Sequence, residues 1–309
     1  MDFKLLEELI KIQGVSGDES RIKAFIVDYV RKNEKRFKVK PRIIEGKEFQ
    51  DNLILIFGEP RTAIFAHIDT IGFTVGYDQS LIKIGGPKAA DNFSLVGKDS
   101  RGEIEAELMV IENDAGGVNL QYVFDREIDR GTLLSFKPEF RANETYIQSP
   151  YLDNRLGVWT ALKVAENLEN GAIVFSTYEE HGGNSVGFLA RYLWEEFSIN
   201  QSLISDITWV TEGVKHGGGA AISLRDQYIP RRSYLNKIIN IAKQSNIPYQ
   251  IEVESAGGSD GGYLQKSDML FDWCFIGAPE DHVHSPDEKV FIHDIQSMVD
   301  LYGVLMREL

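Results

Sequence analysis

Apolar residues recur at two different spacings along the chain, and these spacings predict an alternation of helices and strands. The opening residues MDFKLLEELIKIQG carry Leu and Ile at helical spacing among charged residues, which predicts an amphipathic helix. Ser16 and Glu19 stand three residues apart, as in a capping box, and predict that a second helix begins at RIKAFIVDYVRKN. Two short β-branched runs, 52–57 and 62–66, then predict strands.

Between about Ile71 and Gln148 the pattern changes to short alternating segments with frequent glycines and no clear helical period, which predicts an all-β module. After Pro150 helices and strands alternate again, which implies a sheet covered by helices. In chain order the elements predicted there are helix 155–170, strand 172–178, helix 185–197, strands 205–211 and 220–226, helix 231–246, strands 249–253 and 272–277, and helix 291–309.

The simplest organisation is one α/β domain interrupted by a β insertion. Residues 1–70 and 149–309 are expected to form the α/β domain, and residues 71–148 the inserted all-β domain. The length of 309 residues exceeds the usual size of one domain and agrees with this division. The glycine-rich segment GGSDGG, residues 257–262, is predicted to be a turn.

Composition excludes two kinds of partner. The formal net charge is −14 and the isoelectric point is near 5.0, so nucleic acid and anionic membranes would be repelled. No apolar run reaches the roughly 18–20 residues that span a bilayer, and the opening helix lacks the features of a secretory leader, so the expected location is the cytoplasm. The one cysteine, Cys274, lies in an apolar strand and is predicted to be a buried thiol.

His67 and Asp69 follow a predicted strand in the stretch AIFAHIDTIGF and lie two residues apart. That spacing points both side chains to the same face of a strand. A carboxylate beside a histidine can hold the ring of a metal-binding imidazole. A solvated strand end accounts equally well for the pair, and these two residues alone do not decide between the interpretations.

Further acidic residues lie at or near predicted strand ends. Asp153 precedes a helix, where an N-cap is the ordinary explanation for a single aspartate. The adjacent Glu179 and Glu180 follow the buried run AIVF, and as strand residues they would point to opposite faces. Asp206 lies within a β-favouring run, where burial without a partner or a metal would be costly.

A pair of histidines, His282 and His284, follows the strand WCFIG. Because ligands of open α/β sheets bind at the carboxyl ends of strands, the shared placement of these groups means more than any one of them. Imidazole and carboxylate ligands without thiolate favour zinc, cobalt or manganese. Two histidines and three carboxylates suit two divalent ions with one bridging carboxylate, and the candidates are His67, Asp153, Glu180, Asp206 and His284.

The motifs GVSGDE, AHIDTIGF, YLDNRLG, YEEHGG, SDIT, GGSDGGYLQ and HSPDE occur in this order. As a set they resemble the di-metal aminopeptidases that assemble as tetrahedral particles, the glutamyl, leucyl and lysyl aminopeptidases of peptidase family forty-two. The resemblance covers nearly the whole α/β domain, whereas the insertion matches only in position and character. It implies a phosphorylase- or hydrolase-like α/β/α sandwich with an inserted barrel or PDZ-like dimerisation domain, and dimers that assemble into a dodecamer.

The resemblance also implies a role for each candidate ligand. His67 would bind one ion, Asp153 would bridge two ions, and Glu180 would bind at one side only. Asp206 and His284 would complete the two ligand sets. Two divalent ions per subunit are implied, with zinc preferred and cobalt or manganese as alternatives.

In the implied reaction, N-terminal residues are hydrolysed from short peptides through a water that bridges the metals. Glu179 would be the general base, and Asp69 would orient the imidazole that binds the first ion. Four positions depart from the commonest pattern of the family: Thr70, His181, Asp281 and His282. The last two replace an Arg-Tyr pair and could change the charge of the pocket or add a ligand, so the substrate preference of the family is not carried over.

Three other functions are compatible with parts of the sequence. Another amide hydrolase of the same clan, a deacylase or a carboxypeptidase-type enzyme, would use the same ligands. A glycoside hydrolase such as an endoglucanase needs two carboxyls about 5–9.5 Å apart, which Glu179 and Glu180 would fit poorly as strand neighbours, and it leaves the histidines unexplained. A non-catalytic metal-stabilised scaffold is disfavoured because no ligand position and no base is missing.

Overall fold

Residues 1–112, 117–183 and 185–309 are described by the structure, a computed structural model of the chain. Their strands are β1 Arg42–Ile44, β2 Leu53–Phe57, β3 Ala63–His67, β4 Gly72–Val75, β5 Leu81–Ile84, β6 Ser94–Asp99, β7 Gly102–Glu112, β8 Val118–Val123, β9 Leu133–Phe136, β10 Arg141–Ala142, β11 Tyr146–Gln148, β12 Gly171–Ser176, β13 Gln201–Trp209, β14 Ala220–Ser223, β15 Tyr249–Glu252, β16 Asp272–Asp281 and β17 Lys289–Phe291. Their α-helices are α1 Lys4–Ile10, α2 Ser20–Lys32, α3 Leu152–Asn167, α4 Val186–Phe197, α5 Arg232–Ser245, α6 Asp260–Lys266 and α7 Ile292–Glu308. Short 3₁₀ helices span Glu34–Arg36 and Lys47–Phe49.

The larger of two sheets runs in the order β1–β2–β12–β3–β13–β16–β17–β11–β10, with β14 paired to β16 and β15 to β14. Its central strands β12, β3, β13 and β16 are parallel to one another. Strands β3 and β12 are buried along their whole length, as expected of parallel strands with helices on both faces. The carboxyl ends of the four strands therefore meet at one edge of the sheet.

Two apolar cores lie on opposite faces of this sheet. Along β3, Ile64 packs into one core and Phe65 into the other, because successive strand residues point to opposite faces. Helices α1, α2, α3, α5 and α7 contribute to the core that contains Ile64, whereas α4 and α6 contribute to the core that contains Phe65. This arrangement is an α/β/α sandwich, and the predicted fold class is confirmed.

The strands of the smaller sheet all lie within residues 72–136. They are antiparallel, in the order β5–β4–β9–β6–β7–β8, and a bridge between Ser80 and Gln121 brings the two outer strands together. The sheet is therefore nearly closed into a barrel, which confirms the inserted all-β part of the fold class. Strand β11, Tyr146–Gln148, pairs with β17 of the larger sheet, and the domain limits 71–148 stay a prediction.

The capping box predicted from Ser16 and Glu19 is wrong. Helix α2 begins at Ser20, and its N-cap Glu19 makes no side-chain cap bond. Instead Glu19 Oε1 accepts a hydrogen bond from the Gly17 N–H at 2.9 Å, and the Ser16 hydroxyl donates to a buried carboxylate distant in sequence. The Ser16 hydroxyl therefore bonds to this carboxylate instead of capping the amino terminus of α2.

The turn predicted for GGSDGG is wrong from Asp260 onward, because α6 begins there. The Ser259 hydroxyl caps this helix by accepting the Gly261 N–H at 3.2 Å. Glycine at 261 serves close packing, since a Cβ atom there would lie 2.1 Å from the Trp273 ring. The glycines therefore permit contact between helix and strand rather than marking a turn.

Two further features are the burial of the Cys274 thiol and the length and apolar content of the helices. The Cys274 thiol is buried within β16, as predicted. In the ranges that the structure describes, no helix combines the length and the apolar content needed to cross a membrane.

Candidate metal centre

A first cluster of possible ligands forms around His67, the last residue of β3. Its Nε2 lies 3.3 Å from Asp153 Oδ1 and 3.6 Å from Asp206 Oδ2. Asp206 is supplied by the neighbouring parallel strand β13, and Asp153 by the first turn of α3. All three side chains are buried.

A second cluster shares Asp153 with the first. Asp153 Oδ2 lies 3.2 Å from His284 Nε2, which in turn lies 3.3 Å from Glu180 Oε2. Because one oxygen of Asp153 faces each histidine, this carboxylate stands between the two clusters. The backbone at Asp153 and Asn154 is non-helical although both lie within α3, and the peptide bond between them is cis.

The donor atoms of both clusters fit divalent cations. Within each cluster the three donor atoms all lie within 4.8 Å of one another. Imidazole nitrogens and carboxylate oxygens are the donors that zinc, cobalt and manganese accept. In addition, Glu180 Oε1 is buried and has no hydrogen-bond partner among the described residues.

Burial, together with the crowding of carboxylates, sets the electrostatics of the centre. Burial raises the pKa of Glu179, Glu180 and Asp206 well above their ordinary values, and nearby carboxylates add to the rise. Burial alone would lower the pKa of His67, but the surrounding carboxylates outweigh it and raise that pKa. A divalent cation would relieve this excess of negative charge.

Asp69 lies behind the first cluster and contacts the far side of the His67 ring. Asp69 Oδ1 is 3.4 Å from His67 Nδ1. The same carboxylate accepts the Ser16 hydroxyl at 2.6 Å and the N–H groups of Glu179 and Glu180 at 3.1 Å each. Burial would raise the pKa of Asp69, but the adjacent His67 ring and the hydrogen bond from Ser16 lower it, so the carboxylate is held ionised.

Glu288 and Gly86 position the second cluster, and neither is a site residue predicted from the sequence. Glu288 Oε1 accepts the His284 N–H at 2.9 Å, and Glu288 Oε2 accepts the Asp153 N–H at 3.2 Å. The carbonyl of Gly86, beside β5 of the smaller sheet, lies 3.2 Å from His284 Nδ1. Glu288 is the last residue of the HSPDE motif, so a signal for it existed in the sequence.

Glu179 and Glu180 are not strand residues, and the prediction that they point to opposite faces of a strand is wrong. Strand β12 ends at Ser176, and Tyr178 adopts a left-handed φ of 64° that turns the chain. Both carboxylates approach the centre, since Glu179 Oε2 lies 4.0 Å from His67 Nε2. A loop rather than strand alternation therefore sets the positions of the two side chains.

The four unusual positions lie around the centre rather than within the clusters. The Thr70 hydroxyl donates to the Gly14 carbonyl, and His181 Nδ1 accepts the Gly85 N–H at 3.3 Å. Asp281 is paired through Oδ2 with His216 Nε2 at 2.9 Å and Lys289 Nζ at 2.8 Å. His282 lines a different cavity, beside Lys88 and Phe93.

Comparison with known proteins identifies the family. A family model described as M42 glutamyl aminopeptidase matches residues 91–301, well over half of the chain. A curated relative from Acetivibrio thermocellus, provisionally named an aminopeptidase, is 26% identical over 331 aligned positions that cover 97% of this chain and 96% of the relative.

Two solved structures share the fold. An aminopeptidase from the archaeon Desulfurococcus kamchatkensis superposes with a TM-score of 0.84 at 19% identity, over 99% of this chain and 94% of that chain. The TET1 peptidase of Pyrococcus horikoshii superposes with a TM-score of 0.81 at 22% identity, over 99% of both chains. On the match to the family model, the chain belongs to the M42 glutamyl aminopeptidase family and is a hydrolase of the aminopeptidase class.

Proposed function

We propose that this enzyme removes N-terminal residues from short peptides with two divalent ions bound in the candidate centre. The position of Asp153 carries the proposal: Oδ1 lies 3.3 Å from His67 Nε2, and Oδ2 lies 3.2 Å from His284 Nε2. A carboxylate so placed is suited to bridge two ions. Zinc is the proposed metal, with cobalt or manganese as alternatives, because the donors are imidazole and carboxylate.

Each ion would have its own terminal ligands. Asp206 joins His67 and Asp153 around one ion, and Glu180 joins His284 and Asp153 around the other. When bound, the ions would supply a water acidic enough to attack at neutral pH and would polarise the scissile carbonyl.

Glu179 is the proposed general base. Its side chain is partly buried beside the ligands, with Oε2 4.0 Å from His67 Nε2, but it belongs to neither cluster. Burial raises the pKa of Glu179, which suits a group that takes a proton from the attacking water and returns it to the leaving amine. Asp69 holds the His67 ring so that Nε2 faces the centre.

The proposal also includes self-association through the inserted domain. Residues 1–70 and 149–309 form the catalytic domain, and residues 71–148 join subunits into dimers that assemble into a dodecamer. The TET1 peptidase of Pyrococcus horikoshii can assemble into a tetrahedron or a large octahedral shell. Exposed apolar side chains in the insertion are available to be covered by a second subunit, namely Tyr77, Ile82, Val118 and Val123. Sedimentation velocity would give the mass of the particle.

A panel of aminoacyl chromogenic substrates tests the activity, run with chelator and with zinc, cobalt or manganese added back. We expect cleavage of substrates with a free amino terminus, loss of activity with chelator, and recovery with added metal. Matched N-acetylated substrates and a cello-oligosaccharide separate the competing classes. Preferential turnover of acetylated substrates would indicate a deacylase, and chelator-insensitive turnover of the oligosaccharide would indicate a glycoside hydrolase.

A further inference from the structure

A cavity of about 260 Å³ adjoins the candidate metal centre, and Asp153, Glu179 and His284 form part of its wall. Asp206 and Thr208 of β13 also line it. Thr208 stands two residues beyond Asp206, about 7 Å farther along the strand and on the same face. The cavity therefore leads away from the proposed ions toward the residues that surround Thr208.

Three carboxylates, those of Asp226, Glu252 and Glu254, line the cavity beyond the metal centre. Glu252 lies beside Thr208, since its Oε2 accepts a hydrogen bond from the Thr208 hydroxyl. Its Oε1 accepts one from the Ser223 hydroxyl at 3.0 Å. No lysine or arginine is among the described residues that line the cavity. Within the described ranges, none of the three carboxylates takes part in an ion pair.

Asp226 is a buried carboxylate that makes no ion pair among the described residues. It is only 7% exposed, and its Oδ1 accepts the Tyr228 N–H at 2.5 Å. The adjacent Arg225 directs its Nε at main chain instead, donating to the carbonyls of Asp226 and Glu254 at 3.1 Å each. A buried carboxylate in this state is costly, and a cationic group brought by a ligand would offset the cost.

Two aromatic residues complete the surroundings of these carboxylates. Trp209 and Phe275 both line the cavity. The aliphatic stem of a lysine or an arginine packs well on apolar surface, and the face of an indole attracts the charged head. The cavity thus offers apolar surface to the aliphatic stem of a lysine or arginine and negative charge to its cationic end.

We propose that this cavity receives the side chain of the substrate's first residue and selects lysine and arginine over glutamate and aspartate, with Asp226 as a specificity-determining residue. The inference rests on the proposed aminopeptidase activity. The α-amino group of a substrate is attached to the same carbon as the scissile carbonyl, so it stays beside the ions. Only a long side chain extends past Thr208 to Asp226. An acidic side chain would be repelled there, in contrast to the glutamyl preference named in the family description.

Steady-state kinetics on lysyl, arginyl, leucyl and glutamyl p-nitroanilides test the inference with the metal-loaded enzyme. We expect kcat/KM for lysyl and arginyl substrates to exceed that for the glutamyl substrate by about 100-fold or more. In Asp226→Asn, which keeps an acceptor for the Tyr228 N–H, the lysyl-to-leucyl ratio of kcat/KM should fall by about 10- to 100-fold. Asp300→Asn removes the same charge from the exposed surface of α7 and should leave the ratio unchanged.

A second variant keeps the test decisive if circular dichroism shows that Asp226→Asn does not fold. Glu254→Lys changes a half-buried wall residue and should shift preference from lysyl toward glutamyl substrates. Equal or faster cleavage of the glutamyl substrate by the unaltered enzyme would overturn the specificity and leave the aminopeptidase assignment standing. Failure to cleave any aminoacyl substrate would refute the activity itself, and the specificity with it.

Discussion

The Ser16 hydroxyl donates a 2.6 Å hydrogen bond to Asp69 Oδ2, and the other oxygen of that carboxylate lies 3.4 Å from the His67 ring. The segment before α2, which contains Ser16, thereby helps to orient His67, a proposed metal ligand. The same segment also pairs with the chain that follows β3, since the Thr70 N–H donates to the Gly14 carbonyl at 2.9 Å and the Ser16 N–H donates to the Thr70 carbonyl at 3.2 Å. Main chain and side chain together thus hold the carboxylate that lies behind the His67 ring.

Loss of the Ser16 hydroxyl should weaken metal binding. In Ser16→Ala, Asp69 keeps the N–H groups of Glu179 and Glu180 but loses a partner that helps to hold it ionised. Changes behind a metal ligand typically reduce affinity by 10- to 100-fold, and we expect about 10-fold here in competitive zinc titrations. Ser20→Ala, at an exposed residue of α2, is the matched control. Equal zinc affinity in the two variants would contradict the positioning role of Ser16.

Glu179 and Glu180 should fail in different ways when replaced. Glu179→Gln should bind two ions per subunit but lose about 10²–10⁴-fold in kcat, the usual contribution of general acid–base catalysis. Glu180→Ala should bind less metal because it removes a proposed ligand. Metal content by atomic emission spectroscopy, measured beside kcat, separates the two effects. Substantial activity in Glu179→Gln would exclude it as the base.

Gly85 in the insertion should be required for the second ion. Its φ is +68°, and an added Cβ atom would lie 2.9 Å from Ile71 and 3.0 Å from Glu180 Oε2. We expect Gly85→Ala to bind one ion per subunit instead of two. Gly131→Ala is a matched control, because Gly131 has φ +84° and none of the described residues has an atom within 4 Å of its added Cβ. Both variants share a backbone cost of about 1–2 kcal/mol, so equal metal content would show that contact with Glu180 has no effect.

Glu19 should make stability depend on pH. Burial raises its pKa to about 7 from an ordinary value of 4.5. The folded state favours the protonated form, so stability is retained below pH 4.5 and is lost as pH rises toward 7. Glu19→Gln retains an acceptor for the Gly17 N–H and removes this loss. The free energy of unfolding of Glu19→Gln minus that of the unaltered protein should grow by about 1–3 kcal/mol between pH 5 and pH 8, measured by urea titration. A difference that does not change with pH would contradict the raised pKa of Glu19.

Much of the scaffold could be predicted from residue periodicity. Apolar runs located β3 and β13 to within a few residues, and polar groups of parallel sheets gather at the carboxyl ends of strands. His67 follows from that rule, whereas Asp206 does not, because the predicted strand 205–211 began just before it and β13 begins at Gln201. The arrangement at Asp153 does not, because it depends on non-helical backbone inside α3 that the periodicity of the helix does not indicate.

Contacts between distant parts of the chain account for the rest. The capping-box spacing was a valid local pattern, but the Ser16 hydroxyl found a buried acceptor 53 residues away. Similarly, the apolar run before Glu179 gave no sign that β12 ends early, since a left-handed conformation at Tyr178 is not encoded by its residue type. In each case tertiary packing overrode a local preference.

The order of the proposed ligands along the chain has a consequence for biosynthesis. Strand β16, which leads to His284, also pairs with β13 and so fixes the strand that carries Asp206. Because translation proceeds from the amino terminus, a ribosome-bound chain that stops before residue 272 lacks both β16 and His284, the last proposed ligand of the second cluster. The proposed metal chemistry would therefore begin only after the last central strand of the sheet has been made.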